Sequence, residues 1–395
     1  MKIAVIGLGK AGLPIASVIA NSNSGFEVVG VDIDERKCKD INGGKNPIPE
    51  EIGLDELIKR HGGKDLIATA NYENAKECEV FIIIVPLFTD ENNNPDYRII
   101  ESAFRNVGRV LKKGDLVVLE TSVPPKTTEE RARKWLEEES GLALGEFYLA
   151  YSPERIMTGF SISRLEKFPK VVGGVNKESG QKAFETYQKF IPNLHLVSSA
   201  RVAEFIKIVE GCYRDVNIGL ANELFKIADE LDVNFYEART YANHEYCHLH
   251  LPSTGVGGHC IPVYPWFLVN DMEKRDKFDY AKLLRTAREI NDEMVEYWAE
   301  KIVLESECMK INRPLNERKI CVKGISFREG VKEMYHSRNL ALAKLLMERG
   351  LDVYVYDELY SSEEVGEMGL RWIMPEDADL VFDCFGLKIE RRGGR

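Results

Sequence analysis

The sequence has no pair of cysteines in CxxC spacing; its eight cysteines stand singly. Disulfide-stapled scaffolds and zinc ribbons rely on closely spaced pairs, so neither is expected. No apolar stretch approaches the roughly 20 residues that a membrane-spanning helix requires. The longest, Val80–Val85 and the residues just beyond, suits a buried strand. There is no long basic run, and the formal net charge is −11. A nucleic-acid binder needs a basic footprint, so that class is not expected either. No fixed-period repeat is visible in the sequence. The chain reads as a cytoplasmic protein with neither membrane nor nucleic acid as a partner.

What is present suffices for a large core. The 395 residues are 44% apolar and 9% aromatic, which excludes a disordered chain and exceeds the usual size of one domain. Short apolar runs at Lys2–Ile6, Phe26–Val31, Val80–Val85 and Leu116–Leu119 alternate with helical patterns, the first at Pro14–Ala20. That alternation predicts a parallel sheet covered on both faces. After about residue 200 the pattern changes. Ala203–Leu231 and Tyr280–Glu305 are long, amphipathic and almost free of Gly and Pro, and so are expected as helices. Between them lies an irregular stretch, Asn243–Pro265, rich in His and Gly. Past a linker at Asn312–Asn316 the alternation returns, with strands at Ile320–Val322, Val353–Tyr356 and Leu380–Cys384 and a helix at Asn339–Arg349. Both ends thus read as βα units around a helical middle.

Two loops carry chemistry. Gly7–Leu8–Gly9–Lys10–Ala11–Gly12 follows a strand and opens a helix. Its glycines suit a tight turn, close approach to a pyrophosphate and close helix–strand packing. The helix start offers free N–H groups to the phosphates. Asp32 stands 20 residues after Gly12, at the end of the second strand, where a carboxylate accepts hydrogen bonds from an adenosine ribose. The acid favours NAD over NADP, because it would repel a 2′-phosphate. The alternative is a glycine-rich turn with no ligand. The second loop, Gly255–Val256–Gly257–Gly258–His259–Cys260–Ile261–Pro262, sets one cysteine among glycines. A cysteine there can act as a nucleophile, provided the site stabilises its thiolate. The alternative is a small buried cysteine, the common fate of that residue. His244, Cys247, His248, His250, His259 and Cys260 are metal-ligand types, but their spacing matches no closed zinc pattern, and no metal is expected.

The chain resembles the UDP-glucose/GDP-mannose 6-dehydrogenase family, and within it the branch acting on UDP-N-acetylmannosamine. The resemblance rests on the two loops together with Thr121–Ser122–Val123–Pro124–Pro125, Tyr151–Ser152–Pro153–Glu154–Arg155, Ala203–Glu204–Phe205–Ile206–Lys207 and Leu284–Arg285–Thr286–Ala287–Arg288–Glu289–Ile290–Asn291. It implies an α/β chain of two Rossmann-like doubly wound domains joined by a helical central dimerisation domain. The expected bounds are 1–198 for the NAD domain, 199–308 for the central domain with the cysteine loop, and 309–395 for a shortened nucleotide-sugar domain. A homodimer through the central helices is also implied.

The resemblance further implies a four-electron oxidation of a UDP-sugar C6 alcohol to the uronate, through a thiohemiacetal and then a thioester on Cys260. Lys207 would steady the developing alkoxide, and Glu154 would act with a water as general base in thioester hydrolysis. Ser122 keeps the hydroxyl of the family's threonine. The cofactor contacts expected are Gly7, Leu8, Gly9, Lys10, Ala11 and Gly12, with Asp32, Lys37, Pro86 and Ser122. For the substrate they are Glu154, Arg155, Lys207, Gly257, Gly258, Phe327 and Arg328. Two positions depart from the family: Gly211 replaces an asparagine four residues after the lysine, and Tyr264 replaces an aspartate four residues after the cysteine. Ser326–Phe327–Arg328 stands where a Phe-Lys motif is usual. Two other readings stay open: a non-catalytic paralogue that binds nucleotide sugar or NAD, and a two-electron dehydrogenase that does not use the cysteine.

Overall fold

A computed structural model describes residues 1–22, 24–155 and 159–392. The chain divides into two compact units, Met1–Ile208 and Val209–Arg395.

The first unit is built on one eight-stranded sheet. Its strands are β1 (Lys2–Ile6), β2 (Glu27–Val31), β3 (Leu66–Thr69), β4 (Val80–Ile83), β7 (Leu116–Leu119), β8 (Tyr148–Tyr151), β9 (Lys170–Gly174) and β10 (Leu194–Leu196); a separate small hairpin supplies β5 (Phe88–Thr89) and β6 (Pro95–Asp96). The order is β10-β9-β8-β7-β4-β1-β2-β3. Strands β4 and β7 are buried at every residue, as strands covered on both faces must be. Alternate side chains divide between two cores. Ile3, Val5, Ile82 and Val118 pack with Leu13 and Ile19 of the helix Gly12–Asn21. Ala4, Ile6, Phe81 and Leu119 pack on the other face with Ile100 and Phe104 of the helix Arg98–Val110. The sheet is parallel from β3 to β8, but β9 runs antiparallel to β8, with Tyr151 opposite Gly173. The expectation of a parallel sheet therefore holds for six strands and changes at one edge.

The second unit begins within the long helix Ala200–Glu230 and includes the helices Phe235–Ala242, Tyr264–Lys274 and Lys282–Glu307. Its sheet contains β11 (Lys319–Lys323), β12 (Asp352–Tyr356), β13 (Leu380–Asp383) and β14 (Lys388–Arg391), in the order β12-β11-β13-β14. Met294, Trp298 and Ile302 of the helix Lys282–Glu307 share a core with Ile320, Val322 and Val353 of this sheet. Strand β14, antiparallel to β13, has no counterpart among the sequence expectations. Its segment, Lys-Ile-Glu-Arg, is too charged to read as a strand.

The two sheets repeat one device. In the first, the Asp32 carboxylate, just past β2, accepts the Leu8 N–H from the loop after β1 at 2.8 Å. In the second, Asp357, just past β12, accepts the Ile325 and Ser326 N–H groups from the loop after β11 at 2.9 and 3.1 Å. An acid at the end of one strand ties down the loop that leaves its neighbour.

Candidate active site

In the first unit, strand register places the expected residues along one edge. Ile6 pairs with Val31 and with Ile83, Ile83 with Leu119, and Leu119 with Tyr151. Five parallel strands therefore end level. Gly7, Asp32, Pro86, Ser122 and Glu154 all lie within three residues of that row. The carboxyl edge of a parallel sheet is where α/β folds bind ligands.

The three loop glycines have separate reasons. Gly7 has φ +96, and a Cβ there would meet the Ile84 carbonyl oxygen at 2.6 Å. A Cβ on Gly12 would lie 1.8 Å from the Gly7 carbonyl oxygen, so no larger residue fits. Around Gly9 nothing stands within 4 Å of such an atom. Packing does not demand a glycine there, whereas close approach of a phosphate does. The helix Gly12–Asn21 has no side-chain cap and no acid in its first turn, so its N-terminal N–H groups suit an anion. Lys37 Nζ donates to Asp32 at 3.0 Å, and Lys10 pairs with Glu50 at 3.6 Å. The acid, the open glycine and the uncapped helix together fit the ribose and diphosphate of NAD.

Lys207, on the helix Ala200–Glu230, reaches the other end of this edge. Its ammonium donates to the Glu154 carbonyl oxygen at 2.7 Å and lies 3.4 Å from the Glu154 carboxylate. The lysine is buried, and these two contacts with Glu154 fix where its nitrogen stands. Arg155 donates to the Pro169 carbonyl oxygen.

Supporting residues went unread in the sequence. Lys170 and Glu120 form a fully buried ion pair at 2.9 Å. Tyr187 donates to the same carboxylate at 2.6 Å, and Lys170 also donates to the Pro153 carbonyl oxygen at 3.1 Å, one residue before Glu154. The available signal was a charge set directly against an apolar strand: Glu120 ends Leu116–Leu119, and Lys170 opens Val171–Val172. Glu204, one helical turn before Lys207, accepts the Lys126 and Thr128 N–H groups at 2.6 and 2.8 Å and so anchors the turn after Ser122–Pro125. Burial pushes its carboxyl up to about 7.

In the second unit the glycine-cysteine loop lies against the segment after β11. A Cβ on Gly257 would meet the His336 carbonyl oxygen at 2.7 Å, and one on Gly258, at φ +91, would meet the Phe327 ring at 2.9 Å. Gly258 N–H donates to the Tyr335 carbonyl oxygen at 3.0 Å. These glycines are therefore fixed by the protein's own packing. The His259 ring stacks on Tyr335 at 3.8 Å and bonds Glu333, and the Arg328 guanidinium stands 5.9 Å from the Phe327 ring centre. Cys260 is exposed, whereas Cys38, Cys78, Cys212, Cys321 and Cys384 are buried. Gly257, Gly258, Cys260, Phe327 and Arg328 are thus neighbours. Among the described residues, no group of three or more His, Cys, Asp or Glu is arranged to hold a metal.

Comparison with known proteins shows the family. Residues 1–191 match the model of the UDP-glucose/GDP-mannose dehydrogenase family, NAD binding domain, and residues 201–293 match that family's central domain. The chain belongs to the UDP-glucose/GDP-mannose dehydrogenase family. It is similar to a UDP-N-acetyl-D-mannosamine dehydrogenase of Methanococcus maripaludis, at 37% identity over 90% of this chain and 79% of that one. A second enzyme of that name, from Pyrococcus horikoshii, is 38% identical over 90% of this chain and 83% of that one. A solved UDP-D-ManNAc dehydrogenase structure from Pyrococcus horikoshii superposes with a TM-score of 0.86 at 33% identity, covering 97% of this chain and 89% of that one. The dehydrogenase is accordingly an NAD-dependent oxidoreductase.

Two outcomes follow for its first unit. Gly9→Ala should weaken NAD binding while shifting Tm by less than Gly12→Ala does; the methyl at 12 should cost about 2 kcal/mol or more through overpacking. Fluorescence titration with NAD and thermal melts separate the two. Because the Glu204 carboxyl is raised to about 7 from 4.5, the folded state holds its proton more tightly than the unfolded one. Stability from this group therefore rises as pH falls from about 8 towards 5, by at most ~3 kcal/mol. The Tm difference between the parent and Glu204→Gln should move in the parent's favour across that window, and a pH-independent difference would contradict the assignment.

Proposed function

We propose that the dehydrogenase oxidises the C6 alcohol of UDP-N-acetylmannosamine to the uronate, using two molecules of NAD and a covalent adduct on Cys260. The observation that carries this reading is the exposure of Cys260 on a loop held by packing on both sides, where a buried structural cysteine was the alternative. The choice of sugar is supported by the relatives that bear that name.

When bound, NAD accepts the hydride that leaves the sugar carbon in each step. The chain supplies the rest. Gly7, Leu8, Gly9, Lys10, Ala11 and Gly12 cradle the diphosphate, Asp32 takes the ribose with Lys37 beside it, and Pro86 and Ser122 border the reacting end. The Lys207 ammonium steadies negative charge on the substrate oxygen, a role that its burial and fixed geometry suit. The Cys260 thiolate adds to the aldehyde carbon: a C–S bond forms as the carbonyl π bond opens to an oxyanion, and loss of the second hydride from that tetrahedral carbon re-forms the carbonyl as a thioester. Glu154 takes a proton from water, hydroxide attacks the thioester, the C–S bond breaks, and the thiolate departs. Arg155, Gly257, Gly258, Phe327 and Arg328 are assigned to the sugar nucleotide; guanidinium pairs well with diphosphate oxygens.

We further assign the central helix to a homodimer. Val209, Tyr213, Leu220, Leu224 and Ile227 are exposed apolar residues along one helix that runs to Glu230, in the spacing of a stripe a second copy would cover. Leu220→Asp/Leu224→Asp should sediment as a monomer at micromolar concentration, where the parent sediments as a dimer.

Stoichiometry tests the chemistry. Two NADH should form per UDP-N-acetylmannosamine, and Cys260→Ser should keep NAD binding while uronate formation falls at least 10³-fold, an order expected for loss of a covalent nucleophile. One NADH per sugar would favour the two-electron reading. Binding with no NADH would favour the non-catalytic one, which the replacements at Gly211 and Tyr264 keep in view.

A further inference from the structure

The two positions at which the chain departs from the family's asparagine and aspartate touch each other. A Cβ on Gly211 would stand 2.5 Å from Tyr264 Cδ2, 3.1 Å from its Cβ and 3.2 Å from its Cγ. The edge of the tyrosine ring therefore fills the space that any side chain at 211 would need. Tyr264 is buried at 6% exposure, with the Phe267 ring 6.0 Å away. It is also the first residue of the helix Tyr264–Lys274. Its N–H donates to the Cys260 carbonyl oxygen at 3.0 Å, beside that of Val263 at 3.1 Å. One residue thus joins the helix Ala200–Glu230, through its ring, to the peptide of Cys260, through its backbone.

The cysteine is held from the other direction as well. Gly258, two residues earlier, donates to Tyr335 and packs on Phe327. Between these anchors the chain has little freedom. A methyl on Gly211 must push the ring out, and with the ring goes the turn that ends at Cys260. Interiors are close-packed, so such a displacement is not absorbed locally.

We propose that Gly211 and Tyr264 act as one unit, a ring seated in a glycine notch, and that Tyr264 is a positioning residue for the Cys260 thiol. The two positions are then coupled: with the tyrosine ring in the notch, only a glycine fits at 211 without displacing it. The proposal rests on the reading of Cys260 as the nucleophile.

A double-mutant cycle on the full-length enzyme tests it. Gly211→Ala alone should lower kcat for NADH formation at least tenfold, with KM for NAD changed less than twofold. In the Tyr264→Ala background the same methyl should cost less than twofold. Tyr264→Phe, which keeps the ring, should retain most of the turnover that Tyr264→Ala loses. Alkylation by iodoacetamide, followed on the Cys260 peptide by mass spectrometry, should change at least threefold in Gly211→Ala and in Tyr264→Ala. The exposed Cys308 should react at an unchanged rate in the same samples. Equal losses from Gly211→Ala in both backgrounds, or an unaltered Cys260 alkylation rate, would overturn the proposal. If Gly211→Ala does not fold alone, the alkylation rates of Tyr264→Ala and Tyr264→Phe decide: a change in the first and not the second supports the unit, and no change in either removes it. Uronate formation surviving in Cys260→Ser would remove the nucleophile reading instead, and would leave the 211–264 coupling measurable by alkylation.

Discussion

The parallel hydrogen-bond ladder of the first sheet sets the positions of that unit's candidate residues. Register between neighbours brings Ile6, Val31, Ile83, Leu119 and Tyr151 into a single row, so five chains leave the sheet at one level. At the usual spacing of neighbouring strands that row is about 19 Å long. Residues from 7 to 154 become neighbours along it without any direct contact being needed to gather them. A slip of one residue in any of these pairings would turn a strand's side chains to the opposite core, so the two apolar faces that stabilise the sheet also hold its edge level.

Polar groups buried behind that edge hold the loops that carry the candidate residues. The Glu120–Lys170 pair is removed from water on both sides, and desolvation offsets much of its attraction, so it is a poor source of net stability. Its geometric effect is clear: the same ammonium bonds the Pro153 carbonyl oxygen and so fixes the peptide before Glu154. Glu204 does the equivalent work after Ser122, where two backbone N–H groups would otherwise lie without partners. Breaking either arrangement would leave a buried charge or orphaned donors, which costs far more than the intact pairing contributes.

Glycine illustrates how one residue type serves distinct ends. At position 12 it is demanded by the carbonyl of Gly7, and at 257 and 258 by His336 and Phe327. At position 9 the surroundings demand nothing. In the sequence, Gly257 and Gly258 are expected, through the family resemblance, only as substrate contacts. The structure assigns their bareness to contact between the loop and the segment after β11, which turns a flexible-looking stretch into a fixed mount for the thiol.

Much of this was legible from the sequence because the signals are local. The apolar runs gave β1, β4 and β7 to within two residues, and the glycine fingerprint with Asp32 pointed to the edge proposed for the cofactor. The resemblance to known dehydrogenases marked Lys207, Glu154 and Cys260. It could not give the reversal at β9, the hairpin ending in β14, or the partners of Lys170 and Glu204, since each depends on residues far apart in the chain. Gly211 and Tyr264 show the division most clearly. As letters, 53 residues apart, they were two unrelated departures. Hydrophobic period and turn chemistry act over a few residues and determine where strands and helices lie. Only close packing, which acts between any two atoms that the fold brings together, decided that a missing side chain and an added ring occupy the same space.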